Sequence, residues 1–154
     1  MKKRNAFSLP ELIFIIILVA LLAAVAIPKL MATREDAKAA AALENINTIR
    51  KEIVGYVLAS GEIKPLISQM SPVGQRLIFA NLAHEEPYKL YIKLNKQEKD
   101  CAYFEIKKQN GYKLYLLLGP SKSAGCKIVQ ERMYVVDYPI NLLGSMIYDE
   151  NSSK

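Results

Sequence analysis

Met1-Lys2-Lys3-Arg4-Asn5-Ala6-Phe7-Ser8-Leu9-Pro10-Glu11 runs directly into residues 12–27, sixteen positions without a charge. Across residues 7–27 the single ionisable side chain is Glu11. At about 1.5 Å rise per residue, a helix of that length covers roughly 30 Å, the thickness of a bilayer core. The basic residues Lys2, Lys3 and Arg4 all precede it, and the positive-inside bias puts that side in the cytoplasm and the remaining mass outward. An ionisable group in such a setting costs about 3 kcal/mol unless it lies near the interface or is paired. Glu11 therefore reads as functional; the alternative is a carboxylate solvated at headgroup depth.

Two prolines punctuate the run. In a helix starting near Met1, Pro10 would remove an interior hydrogen bond and clash with the preceding turn, at about 3 kcal/mol. In a helix starting near Phe7 it falls among the first four residues, whose N–H groups have no intrahelical partner. Pro10 thus favours a helix, and a new amino terminus, at about Phe7. Pro28 would free the carbonyl of Ala24 and kink the helix where the chain reaches Lys29; the competing reading is a simple helix stop.

This combination resembles the class III signal of type IV pilins and of the pseudopilins of type II secretion and DNA-uptake machines. The resemblance rests on the short basic leader, Phe7 after a small residue, Glu11 four residues beyond it, the apolar helix and Pro28, and it covers about the first third of the chain. It implies a leader over residues 1–6, cut by a prepilin peptidase between Ala6 and Phe7, with N-methylation of Phe7. It also implies that Glu11 neutralises the Phe7 amine as helices pack in a filament core, where a carboxylate and an ammonium are tolerable only together. Ala6 stands where the family usually has glycine, and Pro10 where an aliphatic residue is common. A competing reading is an ordinary secretory signal cut after Ala24-Val25-Ala26, a small-x-small pattern. The carboxylate and proline at the start of the apolar run fit that reading poorly.

Beyond the hydrophobic segment 7–28, residues 29–60 are Ala-rich and charged, with Leu43, Ile46, Ile49, Ile53 and Val57 at three- and four-residue steps. They read as an amphipathic continuation of the same helix, ended by Ser60-Gly61. Residues 62–87 read as a connection with one short helix, capped by Ser71 and opened by Pro72. From Tyr88 the period changes to two. Strands are expected over 88–94, 102–108 and 112–118, with Asn110-Gly111 as a hairpin turn, and over 133–138 before Pro139. The fold class is α+β: a long N-terminal helix, membrane-spanning in its first half, packed through its second on a small antiparallel sheet in a head of residues 61–154, as in pilins.

Cys101 and Cys126, the chain's two cysteines, fall in the outward portion. A disulfide is the favoured reading there, with two buried thiols as the alternative. One histidine, His84, read as a surface residue at a helix end, and no clustered ligands give no metal site and no cofactor. The absence of a catalytic constellation argues against an enzyme. The formal charge is +6, and without Lys2, Lys3 and Arg4 there remain 18 basic against 15 acidic side chains. Lysines concentrate in the sheet region, and Lys107 and Lys108 are candidate DNA contacts. Solvated lysines guarding sheet edges are the simpler account of them.

The reading that follows is a non-enzymatic subunit held in the inner membrane by a single pass, N-terminus cytoplasmic and head periplasmic. It would be polymerised through its helix into a periplasmic or surface filament for secretion, DNA uptake or motility. Expected partners are the prepilin peptidase, other subunits of the filament and an inner-membrane assembly platform. The alternative is a single-pass protein with a partner-binding periplasmic head that never polymerises.

Overall fold

The computed structural model describes residues 8–133 and 138–143. It is an α+β protein: helix α1 (Leu9–Ser60), α2 (Pro72–Phe79), strands β1 (Ala83–Glu86), β2 (Lys89–Ile92), β3 (Ala102–Lys108) and β4 (Tyr112–Leu118), helix α3 (Ala124–Arg132) and strand β5 (Ile140–Leu143). The chain divides into two compact units, Met1–Ala37 and Lys38–Lys154.

In the first unit α1 is exposed almost throughout. Leu22 is 71 % and Val25 75 % accessible, which in water leaves the large apolar side chains without cover. This helix is long and apolar enough to cross a membrane. It continues through Pro28.

The second unit has a core, and α1 from Lys38 onward supplies one side of it. Ala39, Ala42, Ile46, Ile49, Ile53 and Val57 are buried, three and four residues apart on one face. Core contact thus starts at Ala39; residues 29–37 of the segment expected to be amphipathic belong to the exposed unit. Gly61, at φ 70°, terminates α1 with its N–H on the Val57 carbonyl (2.9 Å), a conformation glycine adopts without strain.

The sheet is a five-stranded antiparallel meander in chain order. Alternation buries Leu90, Ile92, Phe104, Ile106, Leu114 and Leu116 on one face and leaves Lys89, Tyr91, Tyr103, Glu105, Lys107 and Tyr115 half-buried on the other. Lys108 pairs with Tyr112 across the Gln109-Asn110-Gly111 loop, whose last two residues have positive φ, 49° and 103°, as the Asn-Gly step predicts.

Segment 62–82 is tied down by carboxylates. Glu52 of α1 accepts from the Ser71 hydroxyl (2.5 Å) and the Val73 N–H (3.1 Å), while Ser71 Oγ accepts from Gly74 N–H (2.9 Å). The N-terminus of α2 is therefore capped twice, by its own serine and by its neighbour's acid. Glu85 likewise receives the Ser68 N–H (3.0 Å) and hydroxyl (2.7 Å).

Three features differ from the sequence expectations. Residues 83–86, placed in the connection, form β1, because pairing with β2 overrides the weak strand preference of Ala-His-Glu-Glu. Residues 124–132 form α3. Met133, expected to open a strand over 133–138, instead caps α3; residues 134–137 lie outside the described residues, and the fifth strand follows Pro139.

Candidate functional site

The start of α1 is built from Ser8-Leu9-Pro10-Glu11. The Ser8 N–H and hydroxyl both donate to Glu11 Oε2, at 2.9 and 2.7 Å, and the Leu12 N–H donates to the Ser8 carbonyl at 3.1 Å. Ser8 stands at the helix cap and Glu11 three residues on, so the carboxylate reaching back to the cap's N–H is one half of a capping box. Pro10 is the second residue of α1, where its missing N–H costs nothing. This start accommodates Pro10 whether or not residues 1–6 are removed, so the proline does not by itself mark Phe7 as a terminus. The Ser-x-x-Glu spacing was a sequence signal for this cap. Ala6 and Phe7 lie outside the described residues. Glu11 also carries a negative charge at the positive end of the helix dipole.

Cys101 and Cys126 are joined, with Cα atoms 5.4 Å apart. Cys101 lies at the entry to β3 and Cys126 in the first turn of α3, where Ser123 caps the helix through the Cys126 N–H (3.4 Å). Gln130, one turn further, donates to the carbonyls of Cys101 (2.9 Å) and Gly119 (3.0 Å). Gly119 is required where it stands: a Cβ there would lie 2.2 Å from the Asp100 carbonyl oxygen. Bond, amide and glycine together seat α3 against the ends of β3 and β4.

Lys107 and Lys108 end β3 and face opposite sides of the sheet, each with a tyrosine beneath it. Lys107 Nζ lies 5.3 Å from the Tyr115 ring centre and Lys108 Nζ 5.7 Å from that of Tyr112, within range of cation–π attraction. Lys113 is the cross-strand partner of Lys107. Glu105 receives two of the neighbouring cations, Lys107 at 3.0 Å and Lys89 at 3.7 Å. Tyr91 and Glu105 hold the Lys89 ammonium above the ordinary lysine range, and burial followed by the charge of Glu86 pushes the Tyr91 phenol up.

His84 is on strand β1 and not at a helix end. Its ring stacks on Tyr91 (4.7 Å, 6° between planes), and Tyr91 stacks on Tyr103 (5.2 Å), a column running across three strands in register. His84 Nδ1 is 3.5 Å from Asp100 Oδ1. Among the described residues, no three His, Cys, Asp or Glu side chains are grouped to hold a metal ion.

The fold and these arrangements define a class: an α+β protein with a meander sheet and, among the described residues, one helix apolar enough to cross a membrane. No protein-family model, curated protein or solved structure matches the chain.

Proposed function

We propose that this chain is a non-enzymatic, pilin-like filament subunit. The observation that carries the reading is the division within α1. Residues 9–37 expose apolar side chains, whereas residues 39–57 bury theirs in the core of the sheet unit. An apolar rod of this kind is stable only in lipid or against other apolar helices. A subunit that is stored in a membrane and then extracted into a helical bundle uses both environments in turn. The pilin-like leader sequence supports the same reading, with trimming between Ala6 and Phe7, a methylated Phe7 amine and Glu11 as its counter-charge. Glu11 Oε2 already gathers donors at the helix start, and a nearby ammonium would add a charge-assisted bond of the strong kind.

In this proposal the head faces the periplasm, the chain passes the inner membrane once, and a separate platform and motor drive assembly for secretion, DNA uptake or motility. Replacement of Glu11 by valine is expected to leave trimming intact and to abolish recovery of the chain in a sheared filament fraction. Filaments at normal yield from that variant would remove the pairing role. The second reading, a single-pass protein that binds a partner and never polymerises, predicts no filament fraction from the unaltered chain.

A further inference from the structure

Opposite the Asn110-Gly111 hairpin, the other end of the sheet is closed by Ile92, Ala102 and Leu118 in register. The loops beyond it, 93–101 and 119–123, are bound to each other. The Gly119 N–H donates to the Cys101 carbonyl (2.8 Å), the Ser121 N–H to that of Asp100 (3.0 Å), and the Ser123 hydroxyl to Glu98 Oε2 (3.0 Å). The turn after α2 joins them, since the Leu82 carbonyl accepts the Lys93 N–H at 2.8 Å. At this end α1 enters the sheet unit: Lys38, Ala41 and Ala42 line one cleft with Lys93 and Leu94. Within α1, ten residues separate Lys38 from Ile27, the last of the apolar run, a rise of about 16 Å. Those ten carry Lys29 and Arg34 against Glu35 and Asp36, so they add no net charge.

The loops expose Lys96, Lys99 and Lys122. Their two carboxylates turn to the protein: Glu98 receives Ser123, and Asp100 Oδ1 is buried 3.5 Å from His84 Nδ1. Two large apolar side chains stand out at the same end. Leu118 is 53 % accessible, and Phe79, which closes α2 between the cleft residues Leu77 and Leu82, is 78 %. Exposed lysines beside exposed apolar side chains suit an anionic lipid surface, which rewards both. We propose that these loops dock on the membrane that holds the apolar helix. Lys96, Lys99 and Lys122 meet the headgroup phosphates of anionic lipids, and Phe79 and Leu118 lodge at headgroup depth. The proposal rests on residues 9–27 spanning that membrane and not on filament assembly. The span makes the contact intramolecular, so a weak attraction suffices at the high effective concentration it imposes. The hairpin end offers no such excess, since Glu86 and Glu105 stand among Lys89, Lys107 and Lys113.

The test is quenching of a fluorophore on the full chain, held in lipid nanodiscs, by a lipid with a nitroxide headgroup. The discs are phosphatidylcholine alone or with about one-third phosphatidylglycerol. Labels go singly on Asn95→Cys in the first loop, on Gln109→Cys at the hairpin end, and on Met31→Cys beside the span. The expected result in anionic discs is quenching at residue 95 about twofold or more above that at 109, falling by about half in neutral discs or in about 1 M salt. Those two arms need no further variant and are blind to misfolding. Lys96→Gln, Lys99→Gln and Lys122→Gln together should lower quenching at 95 as salt does, and Phe79→Ser should lower it as well. Lys107→Gln with Lys108→Gln should not change it. Quenching at 95 that ignores lipid charge and salt, that survives loss of the three lysines, or that is matched at 109 would overturn the proposal. An unquenched label at residue 31 would sink the membrane span itself, and the proposal with it, so the two failures are told apart.

Discussion

Two stretches of one helix meet their apolar side chains in opposite ways. Ile16 is 59 % and Leu22 71 % accessible, whereas Ile49, Ile53 and Val57 are 0 %. Both stretches mix Ala and Leu with β-branched residues, so propensity does not separate them. Pattern does. Residues 12–27 are apolar all round, which no single sheet can cover. Residues 39–57 are apolar on one face, the width that the inner side of a small meander can bury. The first stretch therefore needs lipid or other chains, and the second is satisfied by its own.

Phe104→Ala sharpens the comparison most. Phe104 is fully buried, and its truncation is expected to lower stability by about 3–5 kcal/mol, read by denaturant unfolding in uncharged detergent. Phe14→Ala, at a side chain 63 % accessible, should leave that transition where it is. Equal effects would break the distinction between the stretches.

Next in size is the Cys101–Cys126 bond. It spans 25 residues, and loop closure of that length is worth about 3–4 kcal/mol. Cys101→Ser with Cys126→Ser should lower the unfolding free energy of the sheet unit by that amount without changing the helicity of residues 9–37, followed by residue-resolved hydrogen exchange. Loss of protection in both regions would show that they do not behave separately. Glu52→Ala comes third. It leaves the buried Ser71 hydroxyl and the Val73 N–H without their acceptor, at about 1–3 kcal/mol, and faster exchange at the start of α2 is the readout.

The smallest effect is a pH dependence at the end of α1. The hydrogen bond and charge of Lys64 hold the Glu62 carboxyl below the usual range. A depressed carboxylate contributes stability above its unfolded pKa and loses it as pH falls through the folded value. Because the pair is exposed, that contribution is slight. Lys64→Ala should flatten this acid limb, seen by comparing melting curves across the acid range, and an unchanged limb would show that the pair contributes nothing.

Much of this was legible in the sequence because the signals were local. The run of residues 12–27, the stop at Gly61, the Ser71-Pro72 helix start and the Asn110-Gly111 hairpin each declare themselves within a few residues. Strand β1 does not: Ala83-His84-Glu85-Glu86 has little strand preference, and Pro87-Tyr88 lacks the glycine that usually marks so tight a turn. Its existence depends on β2, a partner that only the fold supplies. Helix α3 was readable, with Ser123 as cap and Cys126 and Val129 three residues apart, but a glycine at its second position obscured it. At the candidate site, Glu11 was legible as an anomaly from its charge alone. Its hydrogen bonds to Ser8 required the geometry, although Ser-x-x-Glu pointed to them. The grouping of Lys89, Lys107 and Lys113 with Glu86 and Glu105 follows from strand register, which no single segment encodes.

The most direct test of the filament account is the intact mass of the chain recovered from the cell envelope. The account predicts loss of residues 1–6 and one added methyl group on the amine of Phe7, with the apolar helix retained. A chain that keeps those residues, or one cut after Ala26 and released without its apolar helix, would contradict it.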